Sequence, residues 1–401
     1  MATSAKSPAR SVGLSLLASA VILGAAWLYP ADRKPSGVEV ATYTPASAGE
    51  VVEQLQRQSL ASKRELQERL RSGSAQPQSV DVAVAIARRH YDRARRDGEP
   101  RELGLAQSAL GRWWDQPDAP VPVLQMRAAI RQYQHDFDGA LADLGQAIAM
   151  QPANAQAWLS QAAILQTVGR LDDAAHSCRK VVTISDHVAG HVCLADLASL
   201  RGEAGAFDQV QRLLTVRRVA AAEGGWIQTV QAEMAERLGR DDDAERLFKV
   251  VVAATDVDSY AKVAYADFLL RKGRAEEVEP LLRGVPATDA VLLRRAIAMK
   301  RTSNPGAKAA IAQLRERFES SVSRDDSLHL REMARFALEI DGDAGAALRL
   351  AARNWALQKE PADALLLAQA ARAAGRPQAA APVRAFARSP GLSDVRLDAL
   401  L

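Results

Sequence analysis

The chain has 401 residues, enough for two or more domains or one long array, and 48% of it is apolar, which excludes wholesale disorder. Its 52 Lys and Arg against 48 Asp and Glu leave a net +4, two of whose cations, Lys6 and Arg10, precede an apolar run. The body therefore reads as nearly neutral, and no nucleic-acid partner is expected.

Residues 12–28 carry no charge, and 17 residues is the lower limit for a membrane-spanning helix at about 1.5 Å per residue. Trp27 and Tyr29 stand at its far end, where amphipathic rings favour a membrane–water boundary, and Pro30 stops a helix. Residues 1–29 are read as a signal peptide, cleaved near Gly24-Ala25-Ala26, or as an uncleaved signal-anchor helix; the bulky Trp27-Leu28-Tyr29 favours the anchor. A first apolar segment with basic residues ahead of it usually exports the remainder of the chain. The body is thus expected in the periplasm, held to the inner membrane by a single pass, or secreted there if the signal is cleaved.

Residues 30–49, with three prolines and small polar residues, read as a flexible tether. Residues 50–79 read as a charged helix with sparse apolar positions such as Val52, Leu55, Leu66 and Leu70, and a Ser/Gly/Pro-containing linker after it.

From residue 80 to 401 one pattern recurs: a Gly, four residues, then a small or branched apolar residue. The pairs are Gly169/Ala174, Gly205/Val210, Gly239/Ala244, Gly273/Val278, Gly306/Ile311, Gly342/Ala347 and Gly375/Ala380, with His135/Ala140 as a variant. The apolar members are spaced by 34, 36, 34, 34, 33, 36 and 33 residues. Residues before the Gly keep helical spacing, the Gly suits a left-handed stop, and acids such as Asp172-Asp173 then open a second helix. Each unit is a helix hairpin that cannot bury its apolar stripe alone, so units must stack.

The unit over residues 155–188 carries Trp158, Ala162, Gly169 and Ala174 at the marker positions of the tetratricopeptide repeat, with Pro152 closing the unit before it. The chain resembles a tetratricopeptide repeat (TPR) protein of the membrane-anchored or exported bacterial type. The resemblance implies an all-α, TPR-like α-solenoid of about eight to nine helix hairpins behind the N-terminal signal or anchor helix. Trp158 is unmatched in most other units, and Trp113-Trp114 belongs to an unusual insert, read as a cap over the first unit or as an exposed contact patch.

Signal, tether, helix and repeats use up the chain. There is no phosphate-cradling Gly loop, no G-x-S-x-G, no H-E-x-x-H and no C-x-x-C, so neither enzyme chemistry nor a cofactor is expected. One cluster stands out: His176, Cys178, His187, His191 and Cys193. Three readings stay open for it: core thiols, a Cys178–Cys193 disulfide across a helix hairpin in an oxidising compartment, or a metal site using His187, His191 and Cys193.

By the register of the resembled family, the concave groove would be lined by Gln125, Gln132, Tyr133, Gln156, Gln166, Trp226, Glu233, Arg237, Tyr260, Asp267 and Arg271. Such mixed amides, aromatics and charges suit a protein or peptide partner. The Lys and Asn used elsewhere to grip a C-terminal carboxylate are replaced here by Gln125/Ala129 and Leu159/Ala163. The expected function is a membrane-tethered extracytoplasmic scaffold. The alternatives are an accessory factor for envelope-complex assembly or metalloprotein maturation using the His/Cys cluster and, last, an enzyme with a site on the repeat face.

Overall fold

A computed structural model describes residues 79–401 apart from 204, 218–220, 255–258 and 324–328. The signal or anchor, the tether and the charged helix with its linker, up to residue 78, lie outside the described residues. Among the described residues no helix is long and apolar enough to cross a membrane.

The described chain forms nine helix hairpins. They pair α1 (Val80–Asp97) with α2 (Pro100–Leu110), α3 (Val121–Tyr133) with α4 (Phe137–Met150), and α5 (Ala155–Thr167) with α6 (Leu171–Ser185). Next come α7 (Val188–Leu200) with α8 (Ala206–Val216), α9 (Ala221–Arg237) with α10 (Asp241–Val252), and α11 (Ser259–Arg271) with the short α12 (Val278–Leu282). The last three pair α13 (Asp289–Arg301) with α14 (Ala307–Ser323), α15 (Leu330–Phe336) with α16 (Ala344–Leu357), and α17 (Pro361–Ala373) with α18 (Ala381–Phe386). The chain ends in one further turn, α19 (Val395–Asp398), and no strand occurs among the described residues. The chain is an all-α, TPR-like solenoid.

One local device closes most first helices. After α5 the chain turns left-handed at Gly169 (φ 82°), and the Arg170 N–H reaches back to the Leu165 carbonyl at 2.7 Å. The same closure joins Arg240 to Ala235, Arg274 to Leu269 and Arg376 to Ala371, each within 2.9 Å. It satisfies helix-end carbonyls that would otherwise be orphaned and aims the second helix back along the first. Gly239, Gly273, Gly342 and Gly375 hold the left-handed position, and His135 (φ 61°) holds it in the second hairpin.

Two units depart from the sequence marker. In the fourth hairpin Gly202 ends α7, while Gly205 (φ 90°) stands at the start of α8. Residues 203–205 are an insertion between the two roles, which accounts for the 36-residue spacing there. In the seventh hairpin the left-handed residue is Ser303 (φ 54°), not Gly306, whose N–H bonds to the Asn304 side chain at 2.8 Å.

The small marker residues do what close approach requires. Ala140, Ala162, Ala174 and Ala244 are completely buried where helices touch. Trp158 is half-buried, its ring edge-on to His176 and its Nε1 donating to the Pro152 carbonyl at 2.9 Å. Of the paired tryptophans, Trp113 is buried and Trp114 half-buried. Their carbonyls accept from Arg127, which is itself locked to the buried Asp143, so the insert caps the first core rather than forming an open patch.

The solenoid also closes on itself. The Lys359 N–H donates to the Thr167 carbonyl at 2.8 Å, and the Ser393 N–H to the Leu200 carbonyl at 2.7 Å. Gln358 lies against His135, and Arg396 pairs with Glu236 at 3.0 Å. One apolar cluster contains Ala162, Leu165, Leu197 and Leu200 together with Leu366, Val383, Leu392 and Leu397. The helix turns of hairpins 2–5 are thus clasped by the last hairpin and the segment after it. The clasp leaves no room at the turns: a Cβ on Gly169 would lie 2.7 Å from the Phe386 ring, and one on Gly202 would lie 2.9 Å from Ser393.

Candidate functional site

The structure places the expected groove residues on first helices but uses most of their polar atoms internally. Gln125 donates to Asn154 at 3.3 Å, Gln156 to Ser160 at 3.2 Å, and the Tyr133 hydroxyl to the Ala94 carbonyl at 3.3 Å; Gln132 is buried. Gln166 donates to Asp196 at 2.9 Å, and Asp196 is also held by Arg237 at 2.5 Å. The Tyr260 hydroxyl donates to Glu233. Arg271 bridges Glu236 and Asp241 at 3.0 and 2.7 Å. Asp267 receives Arg294 at 2.8 Å and Arg335 from the eighth hairpin.

These contacts form a ladder, most rungs joining one first helix to another. Asp196 and Arg237 are both at least 97% buried, so the pair is held in a region of low dielectric, where removing one partner strands a charge. The clasp adds a second polar knot. Arg331 donates to Glu360 at 2.5 Å and to Asp363 at 2.6 Å, Asn354 donates to Asp363, and Thr167 donates to Glu360. Burial pushes the Glu360 carboxyl up to about 7 against the pull of Arg331. Burial likewise pushes Glu233 up to about 8, with the Tyr260 hydrogen bond and Arg237 opposing it.

Sequence reasoning missed Asp196, Arg294, Arg331, Glu360, Asp363 and Arg396. Asp196 did carry a signal: it is the single acid in the mostly apolar α7. The others gave none, because each takes a partner at least 27 residues away, up to 193 for Glu360 with Thr167.

Among the described residues a narrow cleft lies among α5, α7 and α9, lined by Leu159, Ala163, Gln166, Cys193, Asp196 and Trp226, with a free volume of about 10 Å³. That is room for a single water. Beside it the Trp226 Nε1 and Glu233 Oε2 atoms are buried without a hydrogen-bond partner.

Cys178 on α6 and Cys193 on α7 are bonded to each other, with Cα atoms 5.9 Å apart. The histidines take other partners. His187 caps α7, accepting from the Ala189 N–H at 3.3 Å, with its far nitrogen 3.6 Å from Glu223. His191 pairs with Asp186 at 2.8 Å, and Asp186 with Arg217 at 2.6 Å. His187, His191 and Cys193 therefore do not converge, and among the described residues no three His, Cys, Asp or Glu are arranged to hold a metal.

No protein-family model and no curated protein sequence matches this chain. Solved structures do. A tetratricopeptide repeat protein from Parabacteroides merdae aligns with 13% identity over 72% of this chain and 99% of its own, at a TM-score of 0.36. The human IFIT1 dimer, solved with PPP-AAAA, aligns with 14% identity over 83% of this chain and 86% of its own, at a TM-score of 0.38. The same dimer with m7Gppp-AAAA gives 14% and 0.38 over 83% and 85%. By its own hairpins, turns and small-residue contacts, the chain is tetratricopeptide-like in fold.

Proposed function

We propose that the protein is a membrane-tethered, extracytoplasmic scaffold that binds a protein or peptide partner on its inner face. The observation that carries this reading is that all but the last turn of the described helical structure is stacked hairpins, an architecture that presents extended surface. The bonded Cys178 and Cys193 support an oxidising compartment, in keeping with the apolar run at residues 12–28.

The partner's contact is assigned to the cleft at Ala163, Cys193 and Trp226, which are half-buried and open to the inner face. A single apolar side chain could seat there by widening the cleft, with the orphaned Trp226 N–H finding an acceptor on the partner's backbone. The ladder residues serve as scaffolding around it. The alternative reading as a metalloprotein-maturation factor has no support from the dispersed His and Cys side chains.

A photo-crosslinking residue in place of Ala163 is expected to trap a partner in intact envelopes, whereas one at exposed Gln378 is not. Equal trapping at both sites removes the inner-face assignment. Alkylation of the exported protein under denaturing conditions should find no free thiol until reductant is added; two free thiols without reductant remove the compartment.

A further inference from the structure

Charge is unevenly spread along the chain. Residues 344–401 hold eight Lys and Arg against four Asp and Glu, a local +4 equal to that of the whole chain. Residues 80–343 hold 35 against 38, a local −3. The near-neutral average of the body conceals this division.

Pairing sharpens it. The second helices of the middle hairpins keep cations beside carboxylates: Arg246 with Asp243 at 2.7 Å, Lys249 with Glu245 at 2.7 Å, Arg315 with Asp341 at 2.8 Å. Within residues 344–401 three of the four acids, Glu360, Asp363 and Asp394, are buried and committed to Arg331 and Arg396. Arg349, Arg353, Arg376 and Arg388 are exposed, and none of these four forms an ion pair with an Asp or Glu among the described residues; exposed Arg372 donates to the Ala399 carbonyl, and half-buried Arg384 to Pro377 and Leu401. Arg349 and Arg353 lie one turn apart on α16; the others occupy the end of α17, the α17–α18 turn, α18 and the turn after it.

We infer that the outer wall and end of the last two hairpins form an electrostatic docking surface for anionic phospholipid headgroups. This inference rests on the reading of residues 1–29 as a membrane segment. The same helices and turns expose small residues, Ala352, Ala356, Ala373 and Ala385. Among the described residues of 344–401 the large exposed apolar side chains are Val395 and Leu401, neither of them an aromatic platform for stacking bases. Several exposed Arg without carboxylate side-chain partners suit a polyanionic surface. Closure of the solenoid sets the last hairpins beside the second, with Gln358 against His135.

The test uses the full chain carrying a fluorophore through Ala352→Cys, with vesicles containing a headgroup-labelled acceptor lipid. Energy transfer at 352 should be higher on phosphatidylcholine/phosphatidylglycerol vesicles than on phosphatidylcholine alone, and should fall to the neutral-vesicle level in 0.5 M NaCl. Each Arg lost should weaken the anionic component roughly fivefold, so Arg349→Gln/Arg353→Gln/Arg376→Gln/Arg388→Gln should abolish the difference. Equal transfer on the two lipid compositions overturns the inference. So does a response to a poly-glutamate peptide without one to the vesicles, which would assign the surface to an acidic protein. Flotation with neutral vesicles reads the membrane segment separately, so its failure is distinguishable. If the quadruple variant misfolds, the lipid and salt comparison on the wild-type sequence still decides.

Discussion

The inner face of hairpins 3–7 and the outer wall of hairpins 8–9 use arginine in opposite ways. On the inner face Arg237, Arg271 and Arg294 each find a carboxylate on another first helix, within 3.0 Å. On the outer wall Arg349, Arg353 and Arg388 face solvent without one. The same side chain is therefore a strut in one place and a free cation in the other, and the difference lies in what the neighbouring repeat supplies. A solenoid brings residues about 34 positions apart side by side, so an Arg becomes structural only where the adjoining unit carries an acid. For the same reason a groove rich in polar residues need not be a binding groove: a ladder satisfied from within has little left to offer a ligand.

The contrast can be broken most sharply at Asp196. Asp196→Ala strands buried Arg237, and the expected loss is about 3–5 kcal/mol in urea unfolding; a loss below about 1 kcal/mol would mean the ladder is not a strut. Reducing the Cys178–Cys193 bridge, which spans 15 residues, should cost about 3 kcal/mol, read as a shift of the urea midpoint with and without reductant.

Turn glycines separate clasped from free hairpins. Gly169→Ala meets both a left-handed backbone and the Phe386 ring, for an expected loss of about 2–3 kcal/mol, whereas Gly375→Ala meets open space and should lose about 1 kcal/mol. Equal losses would refute the clasp.

Glu233 gives a pH signature. It stays protonated in the fold up to about pH 8, while in the unfolded chain it ionises above about 4.5. The native state then holds more protons between those values, so its contribution to unfolding free energy falls as pH rises, by at most about 1.4 kcal/mol per unit. Subtracting the profile of Glu233→Gln should isolate that slope; parallel profiles would show that Glu233 ionises normally in the fold. The smallest effect belongs to the outer wall: Arg349→Gln/Arg353→Gln should move stability by no more than about 0.5 kcal/mol, because no ion-pair partner is lost.

Much of the architecture was legible in the residues, because a hairpin is specified locally. The spacing of Ala140, Ala174, Ala244 and Ala347, the left-handed turns at Gly169, Gly239 and Gly273, and the acids after many of the turns act within one unit and repeat. The irregular units were misread where a neighbour substituted for the marker: Ser303 takes the turn that Gly306 suggested, and Gly202 the one that Gly205 suggested. The candidate site was legible only as a set of positions. Gln166, Glu233, Arg237 and Asp267 could be placed on first helices, but not matched with Asp196, Tyr260 or Arg335.

Periodicity in the amino-acid sequence by itself determined the solenoid, since a helix pair with one apolar stripe has no stable alternative to stacking. Only the tertiary structure decided that the solenoid closes, that its inner face is bonded to itself, and which arginines stay unpaired. Those outcomes depend on superhelical curvature, which sums small rotations over nine hairpins before Lys359 meets Thr167 and Ser393 meets Leu200. No local pattern encodes that sum.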